Sequence, residues 1–211
     1  MRGHRFFAAI YDRIMASTED AGLRDMRADL LASASGRTLE LGAGTGLNLS
    51  HYRPAVSELV LTEPDPFMAR RLRARIDAAP PAAGSAEVVE AGAEALPFED
   101  SSFDTVVSTL CLCTVDDPPR VVAEVARLLR PGGRLLYLEH VRSEKPGLSR
   151  WQDRLEGPWG WVGAGCHPTR DTAATIAASE LELSDPRSGE LPKAPPIVRP
   201  MIRGEARLAE R

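Results

Sequence analysis

The chain has 211 residues, of which 43% are apolar, 27% charged and 5% aromatic, and its formal net charge is −4. That length fits one domain with a core large enough to need no metal or disulfide staple, and the acidic balance argues against non-specific nucleic-acid binding. Three cysteines (Cys111, Cys113, Cys166) make no paired framework and point to reduced thiols in a cytoplasmic setting, while no apolar run approaches the ~20 residues of a membrane helix.

Residues 1–5 are followed by five apolar residues, too few for a secretory signal. Residues 6–15 form a short helix carrying Tyr11 and Asp12. Ser17-Thr18-Glu19-Asp20 reads as the capped start of a second helix, with Leu23, Met26, Leu30 and Leu31 at helical spacing and Gly36 as its stop. Strands are then expected at 38–41, 59–63, 86–89, 103–109 and 134–139. Between them lie helices at 47–52, at 66–78, and behind Asp117-Pro118, where Val121, Val122, Val125, Leu128 and Leu129 make an apolar face closed by Pro131-Gly132-Gly133. Residues 142–168 read as loop and contain all three tryptophans (Trp151, Trp159, Trp161). Thr169 or Asp171 caps a helix through 179, a sixth strand begins at 181–183, the proline-rich stretch 191–196 turns, and 197–206 forms a seventh strand. Strand and helix in alternation predict an α/β fold, Rossmann-like, with a seven-stranded mostly parallel sheet and helices on both faces. The chain is read as a single domain over 1–211. Its parts are a helical segment 1–35 able to act as a lid, a core 36–140, and a C-terminal segment 141–211.

The most informative stretch is Leu39-Glu40-Leu41-Gly42-Ala43-Gly44-Thr45-Gly46. A strand running into a glycine turn offers backbone N–H groups and close approach to a ligand at the carboxyl ends of the strands. A dinucleotide fold asks for glycine at 47, where this chain has Leu47. Glu40 would repel a pyrophosphate and suits an ammonium or sulfonium. Glu63, at the end of the second strand, can accept both hydroxyls of a ribose. Gly92-Ala93-Glu94 follows the third strand, where an adenine can meet backbone N–H groups.

These segments, with Leu96-Pro97-Phe98, Ser102-Phe103-Asp104 and Leu129-Arg130-Pro131-Gly132-Gly133, resemble the ordered motifs of the class I S-adenosylmethionine-dependent methyltransferases over residues 38–140. The resemblance implies S-adenosyl-L-methionine as cofactor, with Glu40 near the methionyl amino group, Gly42, Gly44 and Gly46 under the methionine, and Glu63 on the ribose. It brings Asn48, Pro64, Gly92, Ala93, Glu94, Thr109 and Leu110 to the remaining cofactor surroundings. Two positions depart from the common pattern: Glu63 and Gly92 stand where members often carry Asp. A second layer of resemblance runs through residues 108–115, Leu138-Glu139-His140-Val141, Trp151-Gln152, Pro158-Trp159, residues 165–170 and Val198-Arg199-Pro200. It is similar to the methyltransferase-like thiol S-methyltransferases, membrane-anchored animal enzymes acting on small alkyl thiols, although their hydrophobic anchor is replaced here by a polar helical region.

The implied reaction is methyl transfer to a small, rather apolar acceptor, with a thiol leading. Quinone C-methylation, phospholipid amine N-methylation, a cofactor-binding module without catalysis and a Rossmann oxidoreductase are the alternatives. A thiol must lose its proton before it attacks, so His140 and His167 are candidate bases, with Glu139 a third. Tyr11, Trp151, Trp159 and Arg170 are candidate acceptor contacts. Cys111 and Cys113, with Cys166 and His167, offer poor zinc spacing because Cys-x-Cys lacks a second pair, so no metal is expected. Arg70, Arg71, Arg73 and Arg75 read as a solvated helix face, with peripheral contact to anionic lipid as its alternative.

Overall fold

The computed structural model describes residues 5–209; the N-terminal signal reading falls largely on residues outside that span. The elements in chain order are α1 (Arg5–Thr18), a wide turn (Glu19–Leu23), α2 (Arg24–Leu31), β1 (Gly36–Leu41), β2 (Val56–Thr62), α3 (Pro66–Ala78), β3 (Ala86–Val89) and β4 (Phe103–Thr109). They continue with α4 (Pro118–Leu128), β5 (Leu129–His140), α5 (Pro146–Val162), α6 (Thr172–Ala177), β6 (Leu181–Glu190) and β7 (Pro200–Leu208). The sheet has seven strands in the order β3-β2-β1-β4-β5-β7-β6. The first five run parallel, and β7 lies antiparallel to both β5 and β6. The expected mostly parallel Rossmann-like sheet is therefore present. Among the described residues no helix is long and apolar enough to cross a membrane.

Side-chain alternation along the strands builds two cores. Leu39, Leu41, Val60, Val106, Leu135 and Tyr137 pack with Val121, Val122, Val125 and Leu128 of α4 and Ile176 of α6. Their strand neighbours Leu59, Leu61, Val107, Leu136 and Leu138 pack with Leu30 and Leu31 of α2 and Leu72 of α3. Helices thus cover both faces, and the parallel strands read as near-continuous apolar runs because both of their faces are buried.

Local chemistry sets the element ends. Asp65 and Asp117 cap α3 and α4 from N-cap positions followed by proline, accepting from Phe67 N and Met68 N and from Arg120 N. Asp171 caps α6 by accepting from Ala174 N at 2.9 Å, whereas the Thr169 hydroxyl donates to Glu156 instead.

Four local expectations are corrected. The start foreseen at Ser17-Thr18 does not exist: Thr18 is helical (φ −77°, ψ −42°) with no side-chain cap, and the break comes at Gly22 (φ +135°). Glu19 is not a surface acid there but is buried and bound to Arg27. The helix expected at 47–52 shrinks to a 3-10 turn (Leu49–His51), because Asn48 and Tyr52 are drawn inward to Glu40. The segment read as loop contains the 17-residue helix α5, whose glycines and internal Pro158 hide its periodicity. Arg75 also leaves the solvated face expected of α3 and binds Asp12 of α1 at 2.6 Å.

Gln152 fixes α5 to the sheet. Its fully buried amide accepts from Ser143 N at 2.8 Å and donates to the carbonyls of Val141 (3.2 Å) and Ile197 (2.9 Å). Gln152→Leu strands these backbone groups and is expected to cost about 2–4 kcal/mol in urea unfolding; an unchanged midpoint would show that α5 is held by other contacts.

Candidate active site

The carboxyl ends of β1, β2 and β4 converge on the glycine turn. Gly42 and Gly44 both have φ +58°, a conformation that L side chains rarely adopt, and a Cβ at Gly44 would meet no atom closer than 4.0 Å. The turn therefore leaves open space over Gly44. Gly46 serves packing instead, since a Cβ there would strike Leu49 and Leu72.

Behind the turn lies a buried polar network. Glu40 accepts from Asn48 Nδ2 at 2.8 Å and from the Tyr52 hydroxyl at 2.7 Å. Asn48 Nδ2 also bonds Thr109 Oγ1, and Arg27 donates to Asn48 Oδ1 (2.9 Å), Thr109 Oγ1 (3.2 Å) and Glu19 Oε1 (3.0 Å). Burial pushes the Glu40 carboxyl up to about 7, against the opposing pull of Tyr52, Asn48 and Arg27. Tyr11, Arg27, Glu40, Gly42, Gly44, Asn48 and Thr109 line a cavity of about 20 Å³. That volume takes one water, so a larger ligand group requires the lining side chains to spread.

α1 is docked over this cavity. Asp12 accepts from Thr45 Oγ1 at 2.5 Å and from Arg75 Nη2 at 2.6 Å. Glu63 lies on the other side of the turn, where it accepts from Gly44 N (2.8 Å) and Asp65 N (2.9 Å); burial raises its carboxyl and these bonds oppose the rise. Pro64 follows it directly. Ala93 is buried in the sheet's α4-side core, beside Gly92, while Glu94 accepts from Asp116 N at 3.0 Å.

Leu110 takes φ +56° and turns the chain out of β4 into residues 110–115. Glu139, fully buried, accepts from Ser108 Oγ, Cys111 N and Cys113 N, and burial raises its carboxyl. Arg170 donates to the carbonyls of Leu112 and Val115, both at 2.5 Å, so its guanidinium braces the same turn. His167 Nδ1 lies 3.2 Å from Glu156, and its backbone N–H donates to Cys113 O at 2.7 Å. The His140 ring is buried with Nδ1 unpartnered, and burial pushes it down to about 4. Its neighbours are the thiols of Cys113 and Cys166. Trp159 packs inside, whereas Trp151 (55% exposed, under Arg154) and Trp161 (88% exposed) face outward.

Sequence reasoning missed Arg27, Tyr52, Glu19 and Asp12. An arginine within an amphipathic helix signals nothing by itself, and only the fold carries it to Glu40.

A carboxylate and a guanidinium side by side, behind a glycine turn with open space and a second acid across it, match the two charged ends of an amino acid joined to a nucleoside. Residues 39–137 match the family described as methyltransferase domain. The chain is 37% identical over 167 residues to thiol S-methyltransferase TMT1B of Rattus norvegicus, covering 76% of this chain and 68% of that protein. The chain belongs to the class I S-adenosylmethionine-dependent methyltransferases. A phosphatidylethanolamine N-methyltransferase of Cereibacter sphaeroides is 33% identical over 158 residues, covering 72% and 75% of the two chains. A solved SAM-dependent methyltransferase of Thermotoga maritima, described as a possible histamine N-methyltransferase, shares the fold with a TM-score of 0.71 at 21% identity over 97% of each chain. The methyltransferase uses S-adenosyl-L-methionine.

A cationic ligand group beside Glu40 draws off its proton. Cofactor binding measured by calorimetry should therefore weaken about eightfold from pH 7.5 to pH 6, with proton release, because the carboxyl must ionise from about 7. Glu40→Gln should flatten that dependence. An equally steep profile in the variant would place the titrating group elsewhere.

Proposed function

We propose that this methyltransferase transfers the cofactor's methyl group to the sulfur of a small, apolar thiol. The observation that carries the reading is the reach of the similarity: the match to the rat thiol S-methyltransferase spans 167 residues, well beyond the methyltransferase core at 39–137. It thus takes in segments outside the cofactor core.

In this reading Glu40 pairs with the methionyl ammonium, Arg27 and Asn48 with its carboxylate, and Glu63 with the ribose. The glycine turn, with its open space over Gly44, receives the chain between them. Gly92, Ala93 and Glu94 border the base. When bound, the cofactor supplies an electrophilic methyl group on a sulfonium whose departure leaves a neutral thioether. The protein's part is chiefly to hold the attacking atom in line and exclude water. We place the acceptor beside Leu110, Tyr11, Trp159, His140 and His167, on the turn braced by Glu139 and Arg170. Trp151 and Trp161, exposed on α5, stand outside this pocket.

The similarity to a phosphatidylethanolamine N-methyltransferase supports a second reading, an amine acceptor on a lipid headgroup. A screen across thiols, amines, phenols and quinols, read by S-adenosylhomocysteine formation, separates the two. We expect small alkyl thiols to give the highest turnover. Turnover of amine lipids with none from thiols would overturn the thiol reading and leave the cofactor assignment intact.

A further inference from the structure

We propose that Cys113, His140 and Cys166 form a three-ligand site for a soft divalent ion of the zinc class, whose fourth position takes the sulfur of the methyl acceptor. The first half stands on geometry alone; the second rests on the thiol reading above.

The three residues come from separate segments: the turn after β4, the last residue of β5, and the link between α5 and α6. One ligand atom from each lies within 4.8 Å of the other two. Both thiols are buried and free. A tetrahedral ion sits about 2.3 Å from sulfur and about 2.0–2.1 Å from nitrogen, which sets its ligands roughly 3.5–3.8 Å apart. Closing the present gaps takes shifts on the order of 1 Å, within reach of side-chain rotation.

The second observation is His140 itself. Its Nδ1 is buried with no hydrogen-bond partner, a rare and costly condition for a ring nitrogen. A histidine nitrogen left without a proton offers the lone pair that a metal ligand uses. An ion at the centre of the cluster would satisfy that nitrogen and both sulfurs together.

The supporting shell is already built. The N–H of His167 holds the carbonyl of Cys113, Glu139 accepts from Cys113 N, and Arg170 ties down Leu112 and Val115. None of these bonds uses a thiol, so the two sulfurs are brought together by the surrounding fold. Cys111 is not part of the cluster; its sulfur packs against Gly42.

Among the described residues no fourth Cys, His, Asp or Glu joins the three. Structural zinc sites close with four protein ligands, while catalytic ones use three, Cys₂His included, and leave one position for water or substrate. We place the open position on the acceptor side because Cys113 lies in the turn that leaves β4, whose last residue, Thr109, lines the cofactor cavity. Coordination of a thiol there breaks its S–H bond, forms the metal–sulfur bond and releases the proton to solvent. The ion keeps its charge and no oxidant is needed. The product is a thiolate, the nucleophilic form.

The test uses the full chain, reduced and freed of metal by chelator, titrated with cadmium and with cobalt. One equivalent should bind, with thiolate-to-metal absorption. Cys113→Ser, Cys166→Ser and His140→Ala should each weaken binding at least 100-fold while retaining S-adenosylhomocysteine binding as a check of folding, and Cys111→Ser should leave uptake unchanged. Adding hexanethiol to the cobalt form should shift its visible spectrum. Absence of stoichiometric uptake, uptake unaffected by the three variants, or a Cys113–Cys166 disulfide formed in place of metal binding would overturn the site. Stoichiometric uptake with a spectrum indifferent to hexanethiol would overturn the acceptor role alone, and the turnover screen would still decide the thiol reading independently.

Discussion

The cofactor side of this methyltransferase depends on the burial of Glu40 beside Arg27. Neither group can be taken from water without partners: Arg27 is paired with Glu19 at 3.0 Å, and removing one partner of a buried ion pair costs roughly 3–5 kcal/mol. The partners are drawn from three places: Glu19 in the turn between α1 and α2, Asn48 and Tyr52 behind the glycine turn, and Thr109 at the end of β4. The N-terminal helices therefore help to line the cavity behind the glycine turn. Arg27 and Tyr11 line the cavity, and Asp12 ties α1 to Thr45 and Arg75.

The turn at 110–115 follows the same rule with different atoms. Glu139 is fully buried and spends its oxygens on the backbone of the 110–115 turn, and Arg170 clamps that turn's carbonyls from the far side. Their work brings Cys113 against Cys166 and His140, three positions more than 50 residues apart from first to last.

What the sequence made legible was whatever is local. The strand, glycine turn and acid at 39–63 are contiguous, so Glu40, Gly42, Gly44 and Glu63 could be picked out before any coordinates. The same holds for helix 66–78 and strands 86–89 and 103–109, where caps and apolar runs agree. Arg27 could not be read, because its meaning depends on contacts 21 and 82 residues away. α5 was hidden because Gly147, Gly157, Pro158 and Gly160 break the helical signal that Gln152 and the sheet restore. The tryptophans looked like one cluster in sequence, but a helix turns them apart: Trp159 faces the core, and Trp151 and Trp161 face outward. The cluster of Cys113, His140 and Cys166 escaped for a related reason, since the sequence spacing grouped the cysteines with His167 and only the fold brings His140 to them.

The central claim is that the Glu40–Arg27 network recognises the amino-acid end of the cofactor. Calorimetry of Arg27→Leu with S-adenosylhomocysteine and with methylthioadenosine, which keeps the nucleoside and lacks the amino-acid end, tests it most directly. The account predicts a loss of at least tenfold for the first ligand and no change for the second. Equal loss for both, or loss for neither, would contradict it.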